Sequence, residues 1–146
     1  MEVWKIIEGT NGKYSVSNLG RVRRNEHYTE IKPNNSIAHY KERLLNGYKD
    51  QEGYVVYGLQ ISHGKVLTKK GHKLVAEAFI PNPNNFSCIN HKDEDRSNNN
   101  VDNLEWCDVK YNNNYGTRKD KLRKISGIRV AQYTTDGKLV KIWNSM

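Results

Sequence analysis

One stretch constrains the fold of this 146-residue chain more than any other. Residues 87–116 read as a short strand, a polar loop, a returning strand and a short helix in immediate succession. Ser87-Cys88-Ile89-Asn90-His91 is the first strand, and Lys92 to Asn103 is the loop. Leu104-Glu105-Trp106-Cys107 returns with Leu104 and Trp106 on one face, because side chains alternate along a strand. Asp108 is a good helix N-cap, Val109 to Tyr115 a short helix, and Gly116 a suitable C-terminal stop. Such a unit folds back on itself. It is expected to bring His91, at the end of the first strand, near the inner face of the helix around Asn112.

The remaining pattern also comes in short pieces. Asn11-Gly12 signals a tight hairpin turn, and Tyr14 and Val16 alternate with Ser15 and Ser17. Arg21-Val22-Arg23 alternates again, so Arg21 and Arg23 share a sheet face opposite Val22, with Arg24 beside it. That face could lie along a DNA backbone, or be the exposed polar side of a small sheet. Residues 25–46 show no period and read as a loop or an irregular insertion. Tyr54 to Ile61 is rich in β-formers, turns at His63-Gly64 and returns through Lys65 to Thr68. From His72 to Ile80 the period becomes helical, with Leu74, Val75, Ala78 and Phe79 on one face, until Pro81 and Pro83 end it. Val130 to Tyr133 and Leu139 to Trp143 form a last hairpin around Asp136-Gly137.

Leu, Ile, Val and Phe are scarce enough that the core must be thin, with the nine Tyr and three Trp helping to fill it. No apolar run approaches the ~20 residues needed to span a bilayer, and the N-terminus carries no basic-then-apolar signal, so a cytoplasmic protein is expected. Two cysteines, Cys88 and Cys107, read as reduced thiols. Lys and Arg number 24 against 16 Asp and Glu, for a net charge of +8 and a pI near 9.5. This excess points to a polyanionic partner, of which nucleic acid is the commonest. The stretch from Lys92 to Asp108 is acidic and Asn-rich, whereas Arg118 to Arg129 is strongly basic. A protein that holds a metal while gripping phosphates would need this division.

The acidic loop invites a calcium reading, since Asp93, Asp95, Ser97 and Asn99 sit at alternating positions. It fails at the sixth position, Asn98 where Gly is needed, and at the twelfth, Leu104 where Glu is needed. Zinc fails for want of clustered Cys and His. There remains a sparse set of oxygen ligands, Asn90 and Asn112, with His91 alongside. Hard cations such as Mg²⁺ accept such sites when phosphate and water complete the shell.

These residues carry a resemblance. The run NHKDEDRSNNNVDNLEWCDVKYNN, residues 90–113, resembles the HNH (ββα-metal) nuclease motif, and more narrowly that of the HNH homing endonucleases of phages and mobile introns. HKLVAEAFIPNPNN, residues 72–85, is similar to the helix and turn that precede the motif in that group. Residues 2–24 resemble the NUMOD4 DNA-binding module, and residues 128–146 the opening of a NUMOD1 module, which in relatives continues into a helix-turn-helix. The resemblance implies an α+β fold, a small antiparallel β module followed by the ββα-metal unit. It gives a DNA-binding module over 1–53, a nuclease unit over 54–117 with its core at 87–116, and a basic linker with a partial hairpin over 118–146.

The resemblance also implies roles. His91 is the general base, and Asn103 the central Asn that ties the loop and holds the base's orientation. Asn90 and Asn112 are the ligands of one Mg²⁺ or Mn²⁺. The family usually has Gly where Glu94 follows Asp93, and Glu tolerates a positive φ poorly. The head of the helix often carries His, as His72 does here, either for local hydrogen bonds or for a phosphate contact.

The expected activity is nicking of double-stranded DNA by a monomer, with no small-molecule cofactor. Arg21, Arg23, Arg24, Arg118, Lys119, Lys121, Arg123 and Lys124 are the expected phosphate contacts, which would make binding salt-dependent. The rival is a DNA-binding protein on the same scaffold that cleaves weakly or not at all. RNA binding is a distant third.

Overall fold

The computed structural model of the chain describes residues 1–31, 36–117 and 129–144. It divides into two compact units, Met1–Asp108 and Val109–Met146. In the first, β1 (Trp4–Ile6), β2 (Tyr14–Ser17) and β3 (Val22–Arg24) form an antiparallel sheet. Asn11 and Gly12, at φ +52° and +75°, are the central residues of the turn closed by Lys13 N–H on Thr10 O at 3.1 Å. That is the conformation Asn-Gly favours.

Residues 25–46 are not the irregular insertion their pattern predicts. They form a hairpin of β4 (His27–Ile31) and β5 (Ser36–Tyr40), and then β6 (Arg43–Leu44), which joins the first sheet beside β3. The hairpin lacks alternation because burial does not select its side chains: Tyr28, Ile37 and Tyr40 are all exposed. Its register is marked instead by directly opposed rings. His27 stacks on Tyr40 at 4.8 Å and Tyr28 on His39 at 4.6 Å, the kind of cross-strand pair that stabilises a sheet.

A second sheet holds β7 (Tyr48–Lys49), β8 (Val55–Ser62) and β9 (Lys65–Lys70), and leads directly into α1 (Gly71–Phe79). The strand pair β10 (Cys88–His91) and β11 (Leu104–Cys107) follows, joined by the polar loop whose last turn, Val101–Asn103, is a 3₁₀ helix. All strand pairing is antiparallel, and with two α-helices among the described residues the fold is α+β.

One core serves both sheets and the β10–β11 pair. Val16 and Val22 come from the first sheet, Tyr57 and Leu59 from β8, Leu74 and Val75 from α1, and Leu104 from β11. Polar anchors reinforce it. Trp106 Nε1 donates to Ile80 O at 3.0 Å, and Lys5 Nζ donates to Ala78 O at 2.9 Å. Val101 N–H donates to Asn18 O at 2.9 Å, tying the polar loop to the turn between β2 and β3.

In the second unit, α2 (Val109–Asn114) carries Asn112, with the Tyr111 and Tyr115 rings 5.4 Å apart. The hairpin of β12 (Arg129–Tyr133) and β13 (Leu139–Asn144) turns at Asp136-Gly137. Arg118, Lys119, Lys121, Arg123 and Lys124 lie outside the described residues. No described helix is long and apolar enough to cross a membrane.

Because Leu74 touches both halves of the core, Leu74→Ala should destabilise them together by about 2–5 kcal/mol. Urea unfolding followed at Trp4, in the first sheet, and at Trp106, in the β10–β11 pair, should show a single transition that shifts equally for both.

Candidate active site

The site is built on the last two residues of β10. Asn90 pairs with Glu105 and His91 with Leu104 across the strands. Period-two alternation sends Asn90 and His91 to opposite faces, and both are nevertheless buried. Burial of polar groups requires partners. Asn90 Nδ2 donates to Glu105 Oε1 at 2.8 Å, which leaves the amide oxygen as the donor atom of Asn90 for a cation. His91 Nε2 lies 3.2 Å from Asn99 Oδ1.

Around His91 stands a cluster of rings. His72, at the start of α1, meets it edge to face at 5.1 Å, and Tyr54 lies 4.9 Å from His72 and 5.9 Å from His91. The Tyr54 ring in turn carries Lys70 Nζ at 3.9 Å and the Arg96 guanidinium at 5.0 Å. Burial holds His91 below its ordinary value of 6.5, against the opposing pull of its bond to Asn99. Burial, and then the neighbouring His91, push His72 down to about 3. Both rings are therefore neutral at pH 7. His72 makes no hydrogen bond through Nδ1, which is buried without a partner; its contacts are with the rings of Tyr54 and His91.

The polar loop organises itself. Asn103 Oδ1 accepts from Asp93 N–H at 3.0 Å, and its Nδ2 donates to Asp93 Oδ1 and to Asn98 O, each at 2.9 Å. Asp93 also accepts from Asp95 N–H and from Asn98 Nδ2. Asn98, then Asn103, hold the Asp93 carboxylate below its usual range. Asn103 thus ties the loop, whereas the group bonded to the His91 ring is Asn99. Sequence reasoning placed Asn99 only in a calcium pattern, and the carboxylate at the head of that pattern is engaged by N–H donors of the loop itself. Glu94 follows at φ +62°, the left-handed conformation in which Gly is at ease and other residues are strained.

A neutral amide oxygen such as that of Asn90 suits a hard cation. Among the described residues, no group of three or more His, Cys, Asp or Glu could form a closed metal cage. The Asn90 amide oxygen suits a hard divalent cation completed by phosphate and water, and does not suit structural zinc. Asn112 is on α2 of the second unit. The arginines of the first sheet have partners of their own. Arg21 pairs with Glu2 through both ends of its guanidinium, and Arg23 reaches Glu42 at 3.3 Å and lies 4.4 Å over the Trp4 ring. Arg24 lies over Tyr40 and donates to Lys41 O.

The two-stranded unit, with His91 at the end of its first strand and a tied polar loop, is the arrangement that the resemblance to the HNH motif implies. Residues 2–60 match the NUMOD4 motif. The chain is 32% identical over 133 residues to an uncharacterized HNH endonuclease of Acanthamoeba polyphaga mimivirus, covering 91% of this chain and 35% of that protein. It is 33% identical over 109 residues to DNA endonuclease I-HmuI of Bacillus phage SP01, covering 75% of this chain and 54% of that enzyme. A solved structure of DNA binding and cleavage by the HNH homing endonuclease I-HmuI aligns with a TM-score of 0.58 and 27% identity, over 98% of this chain and 78% of that one. The chain is a NUMOD4-bearing homologue of the HNH homing endonucleases, and it spans about a third of the first of these two relatives and about half of the second.

Two consequences can be measured. Replacing Glu94 by Gly removes the left-handed strain at the cost of some chain entropy, and should raise stability by about 0.5–1 kcal/mol in urea unfolding. For His72 the folded value near 3 lies below the ordinary 6.5, so its buried neutral ring stabilises the fold above pH 6.5. That contribution is lost as pH falls from 6.5 toward 3. Between pH 7 and pH 5 the wild type should lose about 2 kcal/mol more than His72→Gln in the same assay.

Proposed function

We propose that this chain is a metal-dependent DNA endonuclease of the HNH homing type that nicks one strand of double-stranded DNA. The observation that carries the reading is the neutral His91 at the end of β10, bonded through Nε2 to Asn99 Oδ1 and followed by a loop that Asn103 ties. An amide oxygen only accepts, so the His91 proton is on Nε2 and the lone pair is on Nδ1. Nδ1 is then the atom that takes a proton from the attacking water, and a ring held neutral near pH 7 is suited to do so.

Asn90, through its amide oxygen, would hold a divalent cation, a role the motif gives to Asn112 as well, and the cation would supply polarisation of the phosphoryl group and stabilisation of the leaving 3′ oxygen. Two neutral amides bind a cation weakly, so affinity should rise when DNA contributes its phosphate. Glu105 fixes the Asn90 amide and adds negative charge beside it. The names of the relatives, an HNH endonuclease and a DNA endonuclease, support the substrate class. A single centre per chain makes nicking the expected outcome.

The test is nicking of supercoiled low-GC DNA in Mg²⁺, in Mn²⁺ and in EDTA. Wild type should yield open circles only with metal. His91→Ala should cut at least about 100-fold more slowly while its salt-dependent DNA binding is retained. Absence of cleavage by both proteins, with binding retained, would instead identify a DNA-binding protein on the nuclease scaffold. Equal cleavage by both would overturn His91 as the base.

A further inference from the structure

Within the polar loop 92–103, a single residue is buried, and it is Asn99, 5% exposed in the middle of the run Asn98-Asn99-Asn100. Its amide oxygen is the hydrogen-bond partner of His91 Nε2, at 3.2 Å. Two glycines make the space it occupies. Gly20, in the turn between β2 and β3, has φ +83°, and a Cβ there would stand 2.8 Å from Asn99 Cβ and 3.0 Å from its carbonyl. Gly71, the first residue of α1, is closer to the working end: a Cβ there would stand 2.6 Å from Asn99 Nδ2. The adjoining backbone is anchored to the same turn by Val101 N–H on Asn18 O. Asn99 is therefore held at its backbone by the N-terminal sheet and at its amide by the start of α1. Neither neighbour can take a larger side chain without displacing it.

We propose that Asn99 is a positioning residue, clamped by Gly20 and Gly71, that fixes the orientation of the His91 ring and keeps its proton on Nε2. The inference rests on the reading of His91 as the general base. A buried imidazole packed against the rings of His72 and Tyr54, with no second polar anchor, could rotate about its Cβ–Cγ bond; the Asn99 oxygen stops that rotation and leaves Nδ1 for substrate water. A misplacement of a reacting group by about 1 Å is enough to reduce a rate by about 100-fold. The clamp also links the sheet of the NUMOD4 match to the base, since Gly20 lies within residues 2–60.

The test uses the full chain in two measurements. The first is NMR on metal-free, DNA-free protein with labelled histidine. Wild type should show an imidazole N–H proton bonded to Nε2 of His91 and exchanging slowly with water. Asn99→Asp, which keeps an acceptor oxygen, should retain it, and Asn99→Ala should lose it. Gly71→Ala places a Cβ 2.6 Å from Asn99 Nδ2 and should lose the same proton by displacing the Asn99 amide, while keeping a single cooperative melting transition.

The second measurement is nicking. Asn99→Ala and Gly71→Ala should lower kcat about 100-fold with KM for DNA within about twofold, and Asn99→Asp should recover at least a tenth of the wild-type rate. A slowly exchanging Nε2 proton that survives in Asn99→Ala, or a wild-type proton on Nδ1, overturns the assignment whatever the cleavage. A Gly71→Ala variant unchanged in both measurements overturns the clamp. Absence of wild-type nicking, with the proton pattern as expected, overturns the nuclease reading instead.

Discussion

The burial of α1 between the two sheets and β11 is the constraint on which everything else in the first unit depends. Leu74 and Val75 are fully enclosed, with Val16, Val22, Leu59 and Leu104 against them. A chain this poor in aliphatic residues has little apolar area for two separate cores, and burial stabilises roughly in proportion to that area. The economical solution is one core to which every layer contributes. Its consequence is functional. His91 is placed by β10, whose partner β11 is fixed by Leu104 in that core, and by Trp106 on the carbonyl of Ile80 at the end of α1.

The polar loop is built by a second principle, the mutual satisfaction of side-chain amides and carboxylates. Asp93, Asn98 and Asn103 close on one another with backbone groups as further partners. This network orders a loop almost without apolar side chains, where burial contributes little. The strained Glu94 follows from the same closure. The turn from His91 to Glu94, with Glu94 N–H on His91 O at 3.0 Å, needs a left-handed residue at its end, whatever the side chain there.

What was legible in the sequence follows from these two principles. β8 and α1 could be read because each buries one face, and burial imprints a period of two or of 3.6 residues, whereas β9, β10 and β11 could be read from short runs of β-forming residues between turns. The β4–β5 hairpin could not, because its strands are chosen by ring stacking across the pair. The clamp on Asn99 was equally hidden. Three consecutive asparagines give no period that marks the middle one as buried, and the glycines that make room for it are 79 and 28 positions earlier in the chain. The task of Gly20, accommodating Asn99, exists only once the sheet and the loop are in contact. Asn103 was readable through its motif, and its bonds within the loop show why an amide, which both donates and accepts, is needed there.

The pairing of the sheet arginines with carboxylates bears on how DNA is met. Arg21 and Arg23 both lie against Trp4 and are both engaged, with Glu2 and Glu42 respectively. Each ion pair joins an exposed partner to a half-buried one, so a phosphate that displaces a carboxylate must leave the half-buried group satisfied. The carboxylates nonetheless hold the guanidinium groups in extended, oriented positions over an aromatic ring. A cationic face of this type is ordered before any ligand arrives, and its net attraction for an anion is reduced by the two acidic partners. On the proposed nuclease reading, such a surface would favour correct placement on a duplex over indiscriminate affinity.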